Sequence, residues 1–189
     1  EGYLRFHQEL GAGICFYAPS PWEQSYAGGV TEDIQERNGL RITTVRAPIG
    51  SVREVQRYLP EACTWATIEH FVKTLEDLRV LVYACEHRTV RPSHEALAAV
   101  DRAWGPHGCA VALGPICGAP LQRLLTRWSG LSALMEIYLE QRAELEAMIS
   151  ALEEADTPIF DILCASPGSL IEFPENLSAE VTGRRFFET

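Results

Sequence analysis

Two segments constrain this chain more than any others: Gly114-Pro115-Ile116-Cys117-Gly118-Ala119-Pro120-Leu121 and Ile171-Glu172-Phe173-Pro174-Glu175-Asn176-Leu177-Ser178. Each follows a short apolar run and opens into helical spacing. A strand that ends in such a loop and passes into a helix is one unit of a parallel α/β sheet. Its loop then lies at the carboxyl end of the strand, where barrels carry their chemistry.

The rest of the chain fits the same alternation. Tyr3 to Leu10 reads as a helix stopped by Gly11, and Gly13 to Tyr17 as a short strand broken by Ala18-Pro19-Ser20-Pro21. A polar, glycine-containing segment runs to Gly39. Leu40–Arg46 and Ser51–Leu59 alternate around Ala47-Pro48-Ile49-Gly50, which predicts an antiparallel hairpin excursion over 40–59. Thr74-Leu75-Glu76-Asp77 has the form of a capping box and opens a helix carrying Leu78, Leu81, Val82 and Cys85. Pro92-Ser93 starts another helix, Cys109 to Leu113 is a strand, and Pro120 to Trp128 is helical. Two helices follow, over Leu131–Gln141 and Ala143–Ala165, then a strand over Ser169–Phe173 and a last helix from Thr182.

At 189 residues the chain can bury one sizeable core, so a single domain over 1–189 is the first expectation. A complete (β/α)₈ barrel needs about 250 residues. The expected fold is therefore a (β/α)₈ TIM-type barrel, incomplete in this chain, with three or four of its strands present and the last helix cut at Thr189. The net charge of −10 argues against nucleic acid, which calls for a basic stripe. No apolar run reaches membrane-span length and no signal peptide is visible, so no membrane partner and a cytoplasmic location are expected. Six cysteines (15, 63, 85, 109, 117 and 164) are dispersed without a C-x-x-C pair, and five read as small buried thiols.

In order and spacing, the Gly114–Leu121 and Phe173–Ser178 segments resemble two barrel-mouth segments of the uroporphyrinogen decarboxylase superfamily. The similarity extends to Gly183-Arg184-Arg185-Phe186-Phe187-Glu188 and to Ile68–Leu78. The superfamily includes the decarboxylase and the zinc-dependent methyltransferases that work with corrinoids. The resemblance implies a tetrapyrrole or corrinoid ligand, with a corrinoid protein as a possible partner. For methyl transfer it implies zinc and a corrinoid as cofactors, the zinc held by a His-x-Cys pair and a later Cys that would lie beyond Thr189. The departures bear on the reaction. The decarboxylase's early-strand aspartate is replaced within Phe16-Tyr17-Ala18, its tyrosine after Gly-Ala-Pro falls at about Thr126, and its Asp-Ser becomes Pro174-Glu175. A methyltransferase-like enzyme moving a methyl group between a corrinoid and a thiol is thus the first expectation. A tetrapyrrole decarboxylase is the second, and a non-catalytic binding homologue or inactive fragment the third.

The candidate residues follow from these loops. Glu172 and Glu175 are the acid/base candidates at a strand end, with Asn176 beside them as a ligand contact or a helix cap. Cys117 and Gly118 line the loop after Leu113, where the thiol is a nucleophile, faces substrate or serves as a small packing residue. Tyr17 and Trp22 offer aromatic walls for a flat ring, or core packing. His107-Gly108-Cys109 has zinc-like spacing but precedes a strand, at the face of a barrel that carries no chemistry, so no metal ligand is assigned within the chain. His70 and Glu69 read as structural.

Overall fold

The structure, a computed structural model, describes residues 2–17, 20–115, 118–168 and 170–175. In chain order the elements are α1 (Gly2–Glu9), β1 (Ile14–Tyr17), β2 (Trp22–Tyr26), β3 (Thr31–Arg37), β4 (Leu40–Ala47), β5 (Gly50–Leu59) and β6 (Thr64–Glu69). These are followed by α2 (Leu75–Glu86), β7 (Arg88–Pro92), α3 (Glu95–Trp104), β8 (Gly108–Leu113), α4 (Pro120–Arg123), α5 (Gly130–Glu140), α6 (Arg142–Cys164) and β9 (Leu170–Glu172). The chain sorts into two compact units. The first takes the chain up to Ser25, the stretch from Thr89 through β8, and Asp156–Pro174; the second takes Tyr26–Arg88, the stretch from α4 to Ala155, and Glu175.

The first unit holds a parallel sheet in the order β1-β8-β9. Parallel neighbours cannot be joined by a tight turn and need long crossovers. Accordingly the chain leaves β1 and returns through α3 to β8, and leaves β8 to return through α6 to β9. Alternation along the strands sorts their side chains onto two faces. Ala110, Ala112 and Ile171 face the helices and pack with Leu97 of α3 and Ile159 and Leu163 of α6, all but Ile171 essentially without exposure. The opposite face carries Cys15 and Tyr17 from β1, Cys109, Val111 and Leu113 from β8, and Leu170 and Glu172 from β9. The registers Cys15↔Cys109, Tyr17↔Val111 and Leu113↔Glu172 put them in rows. None of these seven enters the helix-packed core.

The second unit is built on an antiparallel meander, β3-β4-β5-β6. Ala27 to Val30 and Arg37 to Leu40 are tight turns whose central residues, Gly28-Gly29 and Asn38-Gly39, all have positive φ. At Asn38-Gly39 that backbone matches the twist of β3 and β4, the paired strands it joins, whereas Gly28-Gly29 turns the chain between β2 and β3, which lie in different sheets. The 40–59 hairpin is β4 and β5, turned through Pro48-Ile49 with Ala47 opposite Gly50. Thr74 caps α2 with a capping box: its hydroxyl accepts the Asp77 N–H, and the Asp77 carboxylate accepts the Thr74 N–H. The apolar face of α2, Leu75, Leu78, Leu81, Val82 and Cys85, then packs with Val45 and Val52 of the sheet and with Leu124, Leu134 and Leu145 in one core.

The helical run over Pro120–Trp128 divides into α4 and a π-turn, Leu124–Trp128. Ser129 N–H reaches back to the Leu124 carbonyl, the wider closure of a π-helix. Two carbonyls at the end of this turn leave the helical ladder and are taken by other chain groups. Val72 N–H donates to Trp128 O at 2.8 Å and His70 Nδ1–H to Arg127 O at 2.7 Å. No helix among the described residues is long and apolar enough to cross a membrane.

Burial corrects one expectation. Of the five cysteines described, only Cys85 is buried; Cys15, Cys63 and Cys164 are exposed and Cys109 is half-buried. Apolar neighbours in sequence do not by themselves bury a thiol: Cys15 on β1, a strand paired on one side only, is exposed although Val111 of the central strand is buried on the same face.

Candidate functional site

At the carboxyl ends of the three parallel strands, two of the sequence candidates meet. The Tyr17 hydroxyl donates to Glu172 Oε2 at 3.0 Å, across β8, which lies between their strands. Alternation aims both side chains to the same face, and the stagger of the parallel register brings a tyrosine's length across to a glutamate two residues further along. The Gly114 N–H donates to the Glu172 carbonyl at 2.8 Å and extends the β8–β9 ladder past Leu113, which fixes the Glu172 backbone. Tyr17 is 56% exposed and Glu172 is half-buried. The hydrogen bond to Glu172, and then its negative charge, raise the Tyr17 pKa above the ordinary phenol value. At neutral pH the pair is therefore a neutral phenol donating to a carboxylate.

Gly114 is a close-approach position. A Cβ there would lie 2.5 Å from Phe173 Cδ1, 2.7 Å from Cε1 and 3.2 Å from the Glu172 carbonyl oxygen. Phe173 in turn packs against Phe160 of α6 at 5.4 Å between ring centroids. Gly114→Ala is expected to destabilise the chain by about 1–3 kcal/mol, the usual penalty for overpacking. The checks are a urea midpoint and the Tyr17 titration, which is expected to relax toward the ordinary phenol value as β9 shifts.

The other candidates are distributed differently. Trp22 opens β2, is half-buried and packs against the core of Leu97, Ala110 and Ile159. In the second unit, Gly118 is buried ahead of α4, and Glu175 Oε1 accepts the Ala119 N–H at 2.8 Å, so this carboxylate serves the start of that short helix. Cys117 and Asn176 lie outside the described residues. His70 and Glu69 have structural partners: His70 holds the π-turn, while Glu69 accepts from Arg53 at 2.9 Å and Lys73 at 3.0 Å. Those hydrogen bonds, that from Arg53 foremost, hold its pKa below the ordinary carboxylate value. Sequence spacing concealed a further grouping, Cys15 with Cys109, adjacent on neighbouring strands though far apart in sequence.

Among the described residues, no group of three or more His, Cys, Asp or Glu side chains could hold a metal ion. His107 and Cys109 do not supply the start of one: His107 ends a 3₁₀ turn at the amino end of β8, and the Cys109 thiol faces that of Cys15. A shallow groove at the tip of the meander, formed by Asn38, Gly39, Tyr58 and Trp65, has one indole face already covered by the Arg41 guanidinium at 4.2 Å.

No protein-family model matches this chain, no curated protein matches it, and no solved structure matches it.

Proposed function

We propose that the parallel sheet of the first unit is a segment of a (β/α)₈ barrel of uroporphyrinogen decarboxylase type, and that Tyr17 and Glu172 face a tetrapyrrole or corrinoid at its mouth. The observation that carries this reading is the pairing of Tyr17 with Glu172 at the carboxyl ends of the strands, on the face that α3 and α6 do not cover. In an α/β barrel the helices cover the outside of the sheet and ligand groups project from the strand ends. An enzyme that moves a methyl group between a corrinoid and a thiol is the first reading. The part these residues play in it is to bind and orient the macrocycle. Glu172 accepts from a peripheral N–H, and Tyr17 holds that carboxylate in place.

A specific observation favours decarboxylation of a tetrapyrrole as the second reading. Although the early-strand aspartate is absent, Glu172 brings a carboxylate against Tyr17 at the same strand end. A carboxylate there offers an acceptor to pyrrole N–H groups and a counter-charge to a pyrrole ring protonated on the way to losing carbon dioxide.

The test is a titration of the chain with hydroxocobalamin and, separately, with uroporphyrin, followed by visible absorbance. The expected result is saturable corrinoid binding that Glu172→Gln weakens about 10- to 100-fold, the range for a lost hydrogen bond to a charged group. Methylation of a thiol from methylcobalamin then supports the first reading. Uroporphyrin binding with carbon dioxide release from uroporphyrinogen supports the second, and binding without turnover a non-catalytic homologue. Binding of neither ligand overturns the proposal.

A further inference from the structure

The face of the parallel sheet opposite α3 and α6 bears a second constellation, two residues below Tyr17 on β1. Cys15 and Cys109 are register partners on adjacent strands, and their sulfurs are 3.7 Å apart. Neighbouring strands lie about 4.7–4.9 Å apart, inside the Cα separation of about 4.4–6.8 Å that disulfides span. Side-chain rotation, without movement of the backbone, thus brings the sulfurs toward bonding distance. Cys15 is exposed and Cys109 half-buried, so a small reagent reaches the pair from solvent.

We propose that Cys15 and Cys109 form an oxidisable dithiol, a modification site at which a small disulfide of the glutathione class closes an intrachain disulfide that ties β1 to β8. The thiolate of Cys15 attacks one sulfur of the oxidant, whose own S–S bond breaks and releases one thiol. Cys109, deprotonated as it attacks, then displaces the second thiol from Cys15. Two S–H bonds are lost from the chain and one S–S bond is formed, while the oxidant is reduced to two thiols. The order of attack follows from exposure and from the hydrogen bond between the thiols. The hydrogen bond with Cys15, then burial, raise the Cys109 pKa above the usual thiol value, so Cys109 is the thiol that loses its proton second. Directly opposed positions on parallel strands are not an ideal disulfide geometry, and a strained bond of this kind is readily reduced again.

The experiment treats the whole chain with oxidised glutathione, traps remaining thiols by alkylation and maps the peptides. The expected product is a Cys15–Cys109 cross-linked peptide pair, lighter by two hydrogens and released by dithiothreitol, while Cys63 and Cys164 carry separate glutathione adducts. In Cys109→Ser, Cys15 is expected to accumulate as the glutathione adduct. In Cys15→Ser the cross-link disappears and Cys109 is modified about tenfold more slowly than Cys15 in the partner variant, since its thiolate fraction and access are smaller. Circular dichroism of both variants keeps a folding defect distinguishable from loss of the pair. Separate adducts on Cys15 and Cys109 in the folded wild-type chain, or no reaction at either, would overturn the proposal.

Discussion

Leu78→Ala is expected to destabilise the second unit by about 3–5 kcal/mol, among the largest effects any single substitution has here. Leu78 is without exposure in the middle of α2 and is packed within the core that also holds Val45, Val52, Leu124 and Leu134. Truncation removes the transfer energy of the side chain and leaves a cavity that four surrounding elements cannot jointly close. The measurement is urea unfolding combined with native-state hydrogen exchange. Amides of α2, β4 and β5 are expected to lose protection by the full amount, while those of β8, whose core is a separate cluster, change little. A loss below about 1 kcal/mol would mean that the site collapses freely and that the packing has been misjudged.

Gly28→Ala has the second large effect, about 2–5 kcal/mol, composed of two contributions. The backbone sits at φ +59°, where an L-residue costs about 1–2 kcal/mol. The new Cβ would also fall 2.2 Å from His87 Cδ2 and 2.8 Å from Cγ, an overlap worth about 1–3 kcal/mol more. His87 cannot readily withdraw, because its ring is stacked on Tyr83 at 3.9 Å and its Nδ1 hydrogen-bonds the Tyr83 carbonyl. The Tyr83 hydroxyl donates in turn to Gly28 O at 3.1 Å, so a shift of the turn loses that bond as well. Gly29→Ala is the control: its φ is also positive, at +74°, but the nearest atom is Pro48 Cγ at 3.3 Å, a tight contact that a small shift relieves, and a smaller loss is expected, mostly the backbone cost. Equal losses for the two variants, read from thermal or urea midpoints, would remove the steric part of the account.

Much of the local structure was legible because local chemistry decides it. The Thr74 capping box, the short strand ending at Tyr17 and the Cys109–Leu113 strand each follow from a few adjacent residues and stand in the structure within a residue or two. The segment before Gly39 was not legible as strands. β3 reads Thr-Glu-Asp-Ile-Gln-Glu-Arg and is solvent-facing along nearly its whole length, so it lacks the apolar alternation that marks a half-buried strand. The signal that could have found it is Asn38-Gly39, the dipeptide that most strongly favours a two-residue hairpin. β7 was hidden for a similar reason, as Arg-Thr-Val-Arg-Pro buries little.

The π-turn at Leu124–Trp128 could not be read from sequence at all. It depends on Val72 and His70, more than fifty residues earlier, taking its carbonyls. The site shows the same division. Tyr17 and Glu172 could each be placed at a strand end from spacing alone, but their hydrogen bond depends on a strand order, β1-β8-β9, that no local pattern specifies. The Cys15–Cys109 pair depends on the same order. The cysteines looked dispersed because ninety-odd residues separate partners that the parallel register sets side by side.

The measurement that tests the central claim most directly is a pH titration of Tyr17, labelled with ¹³C in the ring and followed by NMR. It is made in the wild-type chain and in Glu172→Gln, with and without the macrocycle. A phenol that donates to a carboxylate ionises above its ordinary value, and loss of the carboxylate charge lowers that value again. The account predicts a raised pKa in the wild type, a fall toward the ordinary phenol value in Glu172→Gln, and a shift of the Tyr17 resonance when hydroxocobalamin or uroporphyrin is added. An unshifted Tyr17 pKa that does not respond to Glu172→Gln, together with a resonance indifferent to either macrocycle, would contradict both the paired geometry and the ligand-facing role built on it.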